Sequence, residues 1–196
     1  MNWIPKASLP LLTILAGAGC CFAQLGYKDT YQVNYLSNLQ LGGANVNITS
    51  AGVYDFICVN AYVYSADAAP LSCCTCLVDF NSASHLMNFI PAVGVINSVT
   101  IKLVASTPRK PQICDPTKLS IDKEPIPNLT PVPTTGGLAT GMRAWATRLH
   151  ISNTGSFGDG TAFSKAPLAQ PELDRLTSNC ASMPLASRCT CGSGYL

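Results

Sequence analysis

The chain has 196 residues and a formal net charge of +2, and only 11% of its residues are charged. Because the charge is balanced and no basic run is interleaved with aromatic residues, nucleic acid is excluded as an expected partner. A length of this order suits a single domain with a sizeable core. Ten cysteines favour a disulfide framework, provided that the chain is exported.

The N-terminus has the pattern of a secretory signal peptide. Lys6 is followed by an apolar run from Leu9 to Gly19, and small residues precede a cleavage site after Ala23. The pattern predicts a signal peptide at 1–23 and one disulfide-rich domain at 24–196. The apolar run is too short to span a membrane, and no later stretch reaches the necessary length. We therefore expect a protein that is secreted, periplasmic or held at the cell surface.

A lipid anchor is the alternative at this end of the chain. Cys20 or Cys21 would carry it, but a lipoprotein signal places a leucine and two small residues before the cysteine, and here the triplet is Gly17-Ala18-Gly19. Cleavage after Ala23 removes both cysteines and leaves an even number for disulfides. The eight that remain are Cys58, Cys73, Cys74, Cys76, Cys114, Cys180, Cys189 and Cys191.

The stretch from Asp55 to Phe80 contains two strand-like runs joined by the short linker 65–70. Side chains alternate between the faces of a strand, so each run can be divided by parity. The faces expected in the core carry Ile57, Val59, Ala61 and Val63 in the first run and Cys74, Cys76, Val78 and Phe80 in the second. Because the linker favours a hairpin, the runs are expected to be antiparallel neighbours.

The opposite face of the first run has two interpretations. It carries Asn60, Tyr62 and Tyr64, and tyrosines beside a polar group are frequent at protein interfaces. These three residues are therefore a candidate contact patch. The alternative is that a helix or a second sheet covers this face.

The rest of the chain completes the expected fold. Ala44–Thr49 and Ser98–Ala105 alternate like half-buried strands. A proline-rich stretch at about 107–137 indicates a surface loop, either a recognition segment or an insertion. The glycine-rich segment 155–160 is expected to be a flexible loop.

Two helices are predicted near the C-terminus. The first has helical spacing of Met142, Trp145, Ala146 and Leu149 and ends at His150, and the second has Pro171 in its first turn and an apolar stripe of Leu173, Leu176 and Cys180. The expected fold class is therefore mainly β: a disulfide-stapled antiparallel β-sandwich with one or two short C-terminal helices.

The parity argument also suggests a disulfide pairing. Cys58 and Cys73 fall on the same face of neighbouring strands and are expected to pair, which leaves Cys180 to meet Cys114 in the proline-rich loop. The remaining bridges are expected to join, in either order, Cys74 and Cys76 with Cys189 and Cys191.

A thiolate metal site is the alternative role for four of these cysteines. If both segments are extended, four thiolates come together as in a structural zinc or soft-metal site, namely those of Cys74, Cys76, Cys189 and Cys191. Zinc motifs favour two intervening residues, and an oxidising compartment converts neighbouring thiols into disulfides. We therefore expect disulfides, with no metal and no cofactor.

No catalytic residue is predicted. Neither histidine, His85 or His150, lies in a His-Glu-x-x-His pattern, and no Gly-x-Ser-x-Gly segment presents a nucleophile. The sequence favours a non-catalytic structural, adhesion or binding module of the cell exterior over a secreted enzyme of unrecognised class. Expected partners are other cell-surface proteins or further copies of the chain.

Several motifs of the chain are similar to those of a group of exported, cysteine-rich bacterial proteins of unknown function. The motifs are Cys-x-Asn-x-Tyr-Val-Tyr at Cys58 to Tyr64, Cys-Cys-x-Cys at Cys73 to Cys76, Met-x-Ala-Trp-x-Thr-x-Leu-His at Met142 to His150, and a leucine-rich segment at Leu168 to Leu176 before the cysteine-rich end. The resemblance implies export and a shared fold, and it implies no activity or ligand.

The N-terminal pattern gives a direct prediction. The exported protein begins at Gln24, because the signal peptidase cleaves after Ala23. N-terminal sequencing and intact mass of the exported protein check this. A lipid mass on Cys20 or Cys21 would contradict it.

Overall fold

A computed structural model gives the structure of the protein and describes residues 29–52, 54–89, 96–109, 113–121, 136–185 and 189–194. The strands are β1 (Tyr31–Leu36), β2 (Ala44–Ser50), β3 (Phe56–Ser65), β4 (Pro70–Asp79), β5 (Ala83–Met87), β6 (Val99–Ser106), β7 (Leu119–Ser120), β8 (Gly136–Gly137), β9 (Met142–Ser152), β10 (Gly155–Ala162), β11 (Ser164–Lys165) and β12 (Thr190–Gly194). One helix, α1 (Gln170–Ser182), precedes the last strand.

Most strands belong to two antiparallel sheets. The first sheet has the order β11-β1-β6-β3-β4 and the second the order β10-β9-β2-β5-β12, while β7 and β8 form a small parallel pair. The expected β-sandwich with a short C-terminal helix is therefore confirmed. The predicted signal peptide, with Cys20 and Cys21, and most of the proline-rich loop lie outside the described residues. Within the described residues, no helix is long and apolar enough to cross a membrane.

The main core lies between the two sheets. The first sheet contributes Leu36, Ile57, Val59, Ala61, Val63, Ile101 and Leu103, and the second contributes Val46, Ile48, Leu86, Met142, Ala144 and Ala146. The alternation in β2, β3 and β6 predicted which of their residues enter this core, and Cys74, Cys76 and Val78 of β4 enter it as well. Phe80, expected in the core, is exposed instead.

A second core lies between the first sheet and α1. Pro171 stands in the first turn of the helix, where its missing N–H costs no hydrogen bond. Leu173, Leu176 and Cys180 are fully buried against the sheet, as the helical stripe predicted. The described residues therefore form three layers, in which the first sheet is covered on both faces and the second sheet on one.

The predicted helix at Met142–Leu149 is wrong, because these residues form the first half of β9. β9 pairs with β2 on one side and with β10 on the other, and this pairing satisfies its backbone groups. His150 lies within the strand and does not end a helix. The glycine-rich segment expected as a flexible loop is most of β10.

Four disulfides join Cys58 to Cys114, Cys73 to Cys180, Cys74 to Cys189 and Cys76 to Cys191. The last two agree with the predicted set and fix its order. The predicted Cys58–Cys73 and Cys114–Cys180 bridges are wrong, and the four cysteines have exchanged partners.

The register of β3 and β4 explains the exchange. Cys58 and Cys73 do share a face, but Cys58 stands opposite Leu77 and Cys73 opposite Tyr62. An offset of four residues separates them by about 13 Å along the strands, whereas a disulfide requires Cα atoms within about 7 Å. Parity gave the correct face, but it does not determine the register.

The pairing can be checked chemically. We expect non-reducing peptide maps to show Cys58 linked to Cys114, and the Cys73–Cys76 peptide linked to both Cys180 and the C-terminal peptide. Because no protease site separates Cys73, Cys74 and Cys76, stepwise partial reduction with alkylation must assign the individual bonds. A Cys58–Cys73 linkage in the oxidised native protein would contradict the structure.

Candidate functional site

The candidate contact patch on β3 is covered. Asn60, Tyr62 and Tyr64 have relative exposures of 0%, 2% and 3%. The Tyr62 hydroxyl donates to the carbonyl of Pro116 at 2.7 Å, and the Asn179 amide of α1 donates to the Tyr64 hydroxyl at 3.2 Å. The contact-patch interpretation is therefore wrong, and the alternative of a covered face is correct.

An ionic network joins α1 to this covered face. Glu172 of the helix forms ion pairs with Lys102 of β6 and with Arg175 one turn later, and it accepts a hydrogen bond from the Tyr31 hydroxyl at 3.3 Å. Lys102 Nζ also lies 5.2 Å from the ring centroid of Tyr64, within the range of a cation–π contact. The network orients the helix on the sheet.

Burial and charge act in opposite directions on Glu172. Partial burial raises the pKa of its carboxyl, but the hydrogen bond and charge of Lys102 and the charge of Arg175 lower it more, so the pKa lies below its ordinary value. Burial also raises the pKa of Tyr64. The carboxylate is thus stabilised in its charged form.

A cavity of about 470 Å³ lies beside the loop that Cys114 ties to β3, and it is lined by Thr75, Asp115, Thr117 and Lys118 together with disulfide cysteines. The Asp115 carboxylate accepts hydrogen bonds from the Thr117 backbone and hydroxyl and pairs with Arg109. These bonds of Asp115 stabilise the conformation of the loop.

The hairpin of β9 and β10 carries a small charged cluster on its inner face, which is the face that packs in the main core further along β9. Asp159 pairs with Arg148 at 2.9 Å and lies 3.2 Å from His150 Nε2, and the His150 ring stacks on Phe157 with centroids 4.8 Å apart. The hydrogen bond from Arg148, together with that from His150, holds the pKa of Asp159 below its ordinary value. This cluster fixes the hairpin.

The other face of the second sheet is its outer face, and no part of the described chain packs over it. We use "outer face" for Asn45, Asn47 and Thr49 of β2, Ala83, His85 and Met87 of β5, Arg143, Trp145, Thr147, Leu149 and Ile151 of β9, Ser156, Gly158, Gly160 and Ala162 of β10, and Thr190 and Gly192 of β12. Each is half-buried or exposed.

One row of the outer face crosses all five strands. The register places Ala162, Trp145, Asn47, His85 and Gly192 side by side. Directly opposed residues in antiparallel strands have Cβ atoms about 5 Å apart, so the side chains of Trp145, Asn47 and His85 leave the sheet side by side. Trp145 has a relative exposure of 36%, so part of its side chain is accessible to a ligand.

The residues at the two ends of this row have little or no side chain. A Cβ atom added to Gly192 would lie 2.4 Å from the His85 ring, so that ring occupies the space above the glycine. At the other end, Gly158, Gly160 and Ala162 place almost no side chain on the outer face of β10. Nothing lies within 4 Å of a Cβ added to Gly160. The outer face of the edge strand β10 is therefore flat beside the side chains of β9.

No family model matches the chain, and no curated protein or solved structure does so either. The resemblance to exported bacterial proteins stays a prediction from motifs.

Sequence reasoning missed the outer face. Trp145 was assigned to the buried stripe of a helix, and Asn47 and His85 were not connected with it. The signal that the sequence does contain is the alternation of Met142, Ala144 and Ala146 with larger or polar residues, which is typical of a half-buried strand. The row itself requires the register of five strands, which no single segment contains.

The Glu172 network predicts a dependence of stability on pH. Because the folded-state pKa is depressed, the carboxylate contributes stability above its ordinary pKa of 4.5, and that contribution is lost as the pH falls through the folded-state value. Glu172→Gln should therefore lower Tm at about pH 6 and have little effect at about pH 3.

Thermal melts across this pH range measure the effect. Asp174→Asn, an exposed change on the same helix, is the matched control and should shift Tm little at either pH. A Glu172→Gln protein with an unchanged pH profile would show that the network adds nothing to stability.

Proposed function

We propose that the protein is an exported, non-catalytic binding module and that the outer face is its binding surface. The observation that carries the proposal is the nature of this face, which no described segment covers and which bears one ionic side chain, Arg143. Trp145 and Met87 are exposed on it. The centres of protein binding surfaces are depleted of charge and enriched in aromatic residues, methionine and arginine.

The compartment is supported by two independent features. Four disulfides are typical of an oxidising environment outside the cytoplasm, and the N-terminal pattern is that of a signal peptide. Both favour a role in which the protein meets its partner outside the cell.

The construction of the second sheet favours binding. Its inner face packs in the main core, one disulfide joins its edge strand β12 to β4, and a second joins β4 to Cys189, directly before β12. The outer face is thereby held in one conformation, and a preorganised surface loses less conformational entropy on binding.

The alternatives have less support. The cysteines of the thiolate alternative are paired with one another in two disulfides, and a disulfide is a poor metal ligand because the thiolate is the binding form. The two histidines lie apart, His85 on the outer face and His150 in the hairpin cluster. Their positions favour roles in packing and surface recognition over shared catalysis.

A charge placed on the outer face tests the proposal. Asn45→Lys adds a cation at an exposed position in the middle strand of the second sheet. We expect the labelled wild-type protein to bind saturably to cells and extracellular material of the producing organism, and Asn45→Lys to weaken binding about tenfold, since an unpaired charge must be desolvated.

Ala181→Lys is the matched control, because it adds the same charge at an exposed position of α1, on the opposite side of the molecule. Its binding should equal that of the wild type. If both lysine variants bind equally, the outer face is not the binding surface. If the wild-type protein does not bind at all, the proposed function is wrong.

A further inference from the structure

We infer that the ligand of the outer face is a neutral polysaccharide, stacked on Trp145 and hydrogen-bonded to the row that crosses the sheet. The inference rests on the proposed function, since it names the ligand class of the same surface. It follows from the ring, the polar groups beside it, the absence of charge and the length of the row.

The indole of Trp145 supplies the apolar contact. A pyranose ring has an apolar face of C–H groups and a rim of hydroxyls, so it packs flat on an aromatic ring. Trp combines a large apolar area with few rotatable bonds. Ala162 of β10 stands opposite Trp145, and Gly160 stands opposite Thr147, so the small residues beside the indole leave room for a flat ring.

Polar groups beside the indole match the hydroxyl rim. Asn47 stands directly opposite Trp145, and His85 stands opposite Asn47. An amide has both a donor and an acceptor, and so has a neutral imidazole, which is the combination that hydroxyl groups require. Asn45 and Thr190 present further such groups one row away.

The charge of the outer face points to an uncharged polymer. Among its residues only Arg143 is ionic, and it lies two residues from Trp145 along β9, in the next row with Thr49 and Ala83. An acidic polymer would be expected to meet several cations, because charge repetition along the polymer needs repeated neutralisation. One guanidinium instead provides bidentate donors to neighbouring hydroxyls.

The length of the row suits a short stretch of a polymer chain. Five strands extend about 19 Å across the sheet. The row that crosses all of them therefore has the length of a short oligosaccharide.

The tryptophan count makes the inference easy to test. The chain has two tryptophans, and removal of the predicted signal peptide takes away Trp3, so fluorescence of the exported protein reports on Trp145 alone. We expect hydroxyethyl cellulose, starch or a chitin oligosaccharide to change this fluorescence saturably. Polygalacturonate, the acidic probe, should leave it unchanged.

Affinity electrophoresis in gels that contain the same polymers compares the variants. Trp145→Ala should weaken binding about tenfold or more, as the loss of an aromatic anchor does, and Trp145→Phe should retain part of it. Tyr35→Ala removes an exposed aromatic side chain of β1 in the first sheet, away from the outer face, and should bind like the wild type. Equal Tm values for the variants would show that they are folded.

The outcomes separate this inference from the proposed function. Binding to a neutral polymer that Trp145→Ala abolishes supports both. If no neutral polymer binds, or if only polygalacturonate does, while Asn45→Lys still weakens binding to cells, the polysaccharide inference is wrong and the binding module stands. Polymer binding that is equal in Trp145→Ala and wild type also overturns the inference. If cells and polymers both fail to bind, both proposals are wrong.

Discussion

The alternation of side chains along β4 determines how the three layers are joined. Cys73 points to the helix side of the first sheet and bonds to Cys180 of α1. Cys74 and Cys76 point into the main core and bond to Cys189 and Cys191 near the C-terminus. One short segment therefore anchors the helix to the first sheet and the first sheet to the edge of the second. Each of these bridges closes a loop of more than a hundred residues, for which the chain-entropy model gives about 4.7 kcal/mol per bridge.

The faces of the first strands could be predicted, but their register could not. Alternation in β3 and β4 placed Val59 and Cys76 in the core, as observed, yet an offset by an even number of residues leaves parity unchanged. For this reason Cys58 and Cys73 looked like neighbours. The chain from Met142 to Leu149 fits the helical period and also the two-residue period of a strand, since Met142, Ala144 and Ala146 alternate. It forms a strand because it pairs with β2 and β10.

The two sheets differ in how many of their faces are covered, and their sequences carry the difference. β3 is apolar almost throughout from Ile57 to Tyr64 because both of its faces are buried, as in sheets with helices or loops over them. β9 alternates instead, since only one of its faces meets the core. The length of the apolar run would have favoured the covered interpretation of Tyr62 and Tyr64. The converse holds for the second sheet, where residues such as Arg143 and Trp145 on one face of β9 are exposed; this is the face proposed for binding.

If the chain is exported as proposed, the positions of its cysteines set the order in which their partners become available. Cys58, Cys73, Cys74 and Cys76 emerge early, but their partners follow 56, 107, 115 and 115 residues later. In an exported chain, the thiols that Cys73, Cys74 and Cys76 could meet before the C-terminal region crosses are those of Cys58, Cys114 and one another, so oxidation at that stage would form non-native pairs. Native pairing would then require thiol–disulfide exchange after the C-terminus has crossed, and a host without a periplasmic or luminal isomerase should yield scrambled protein.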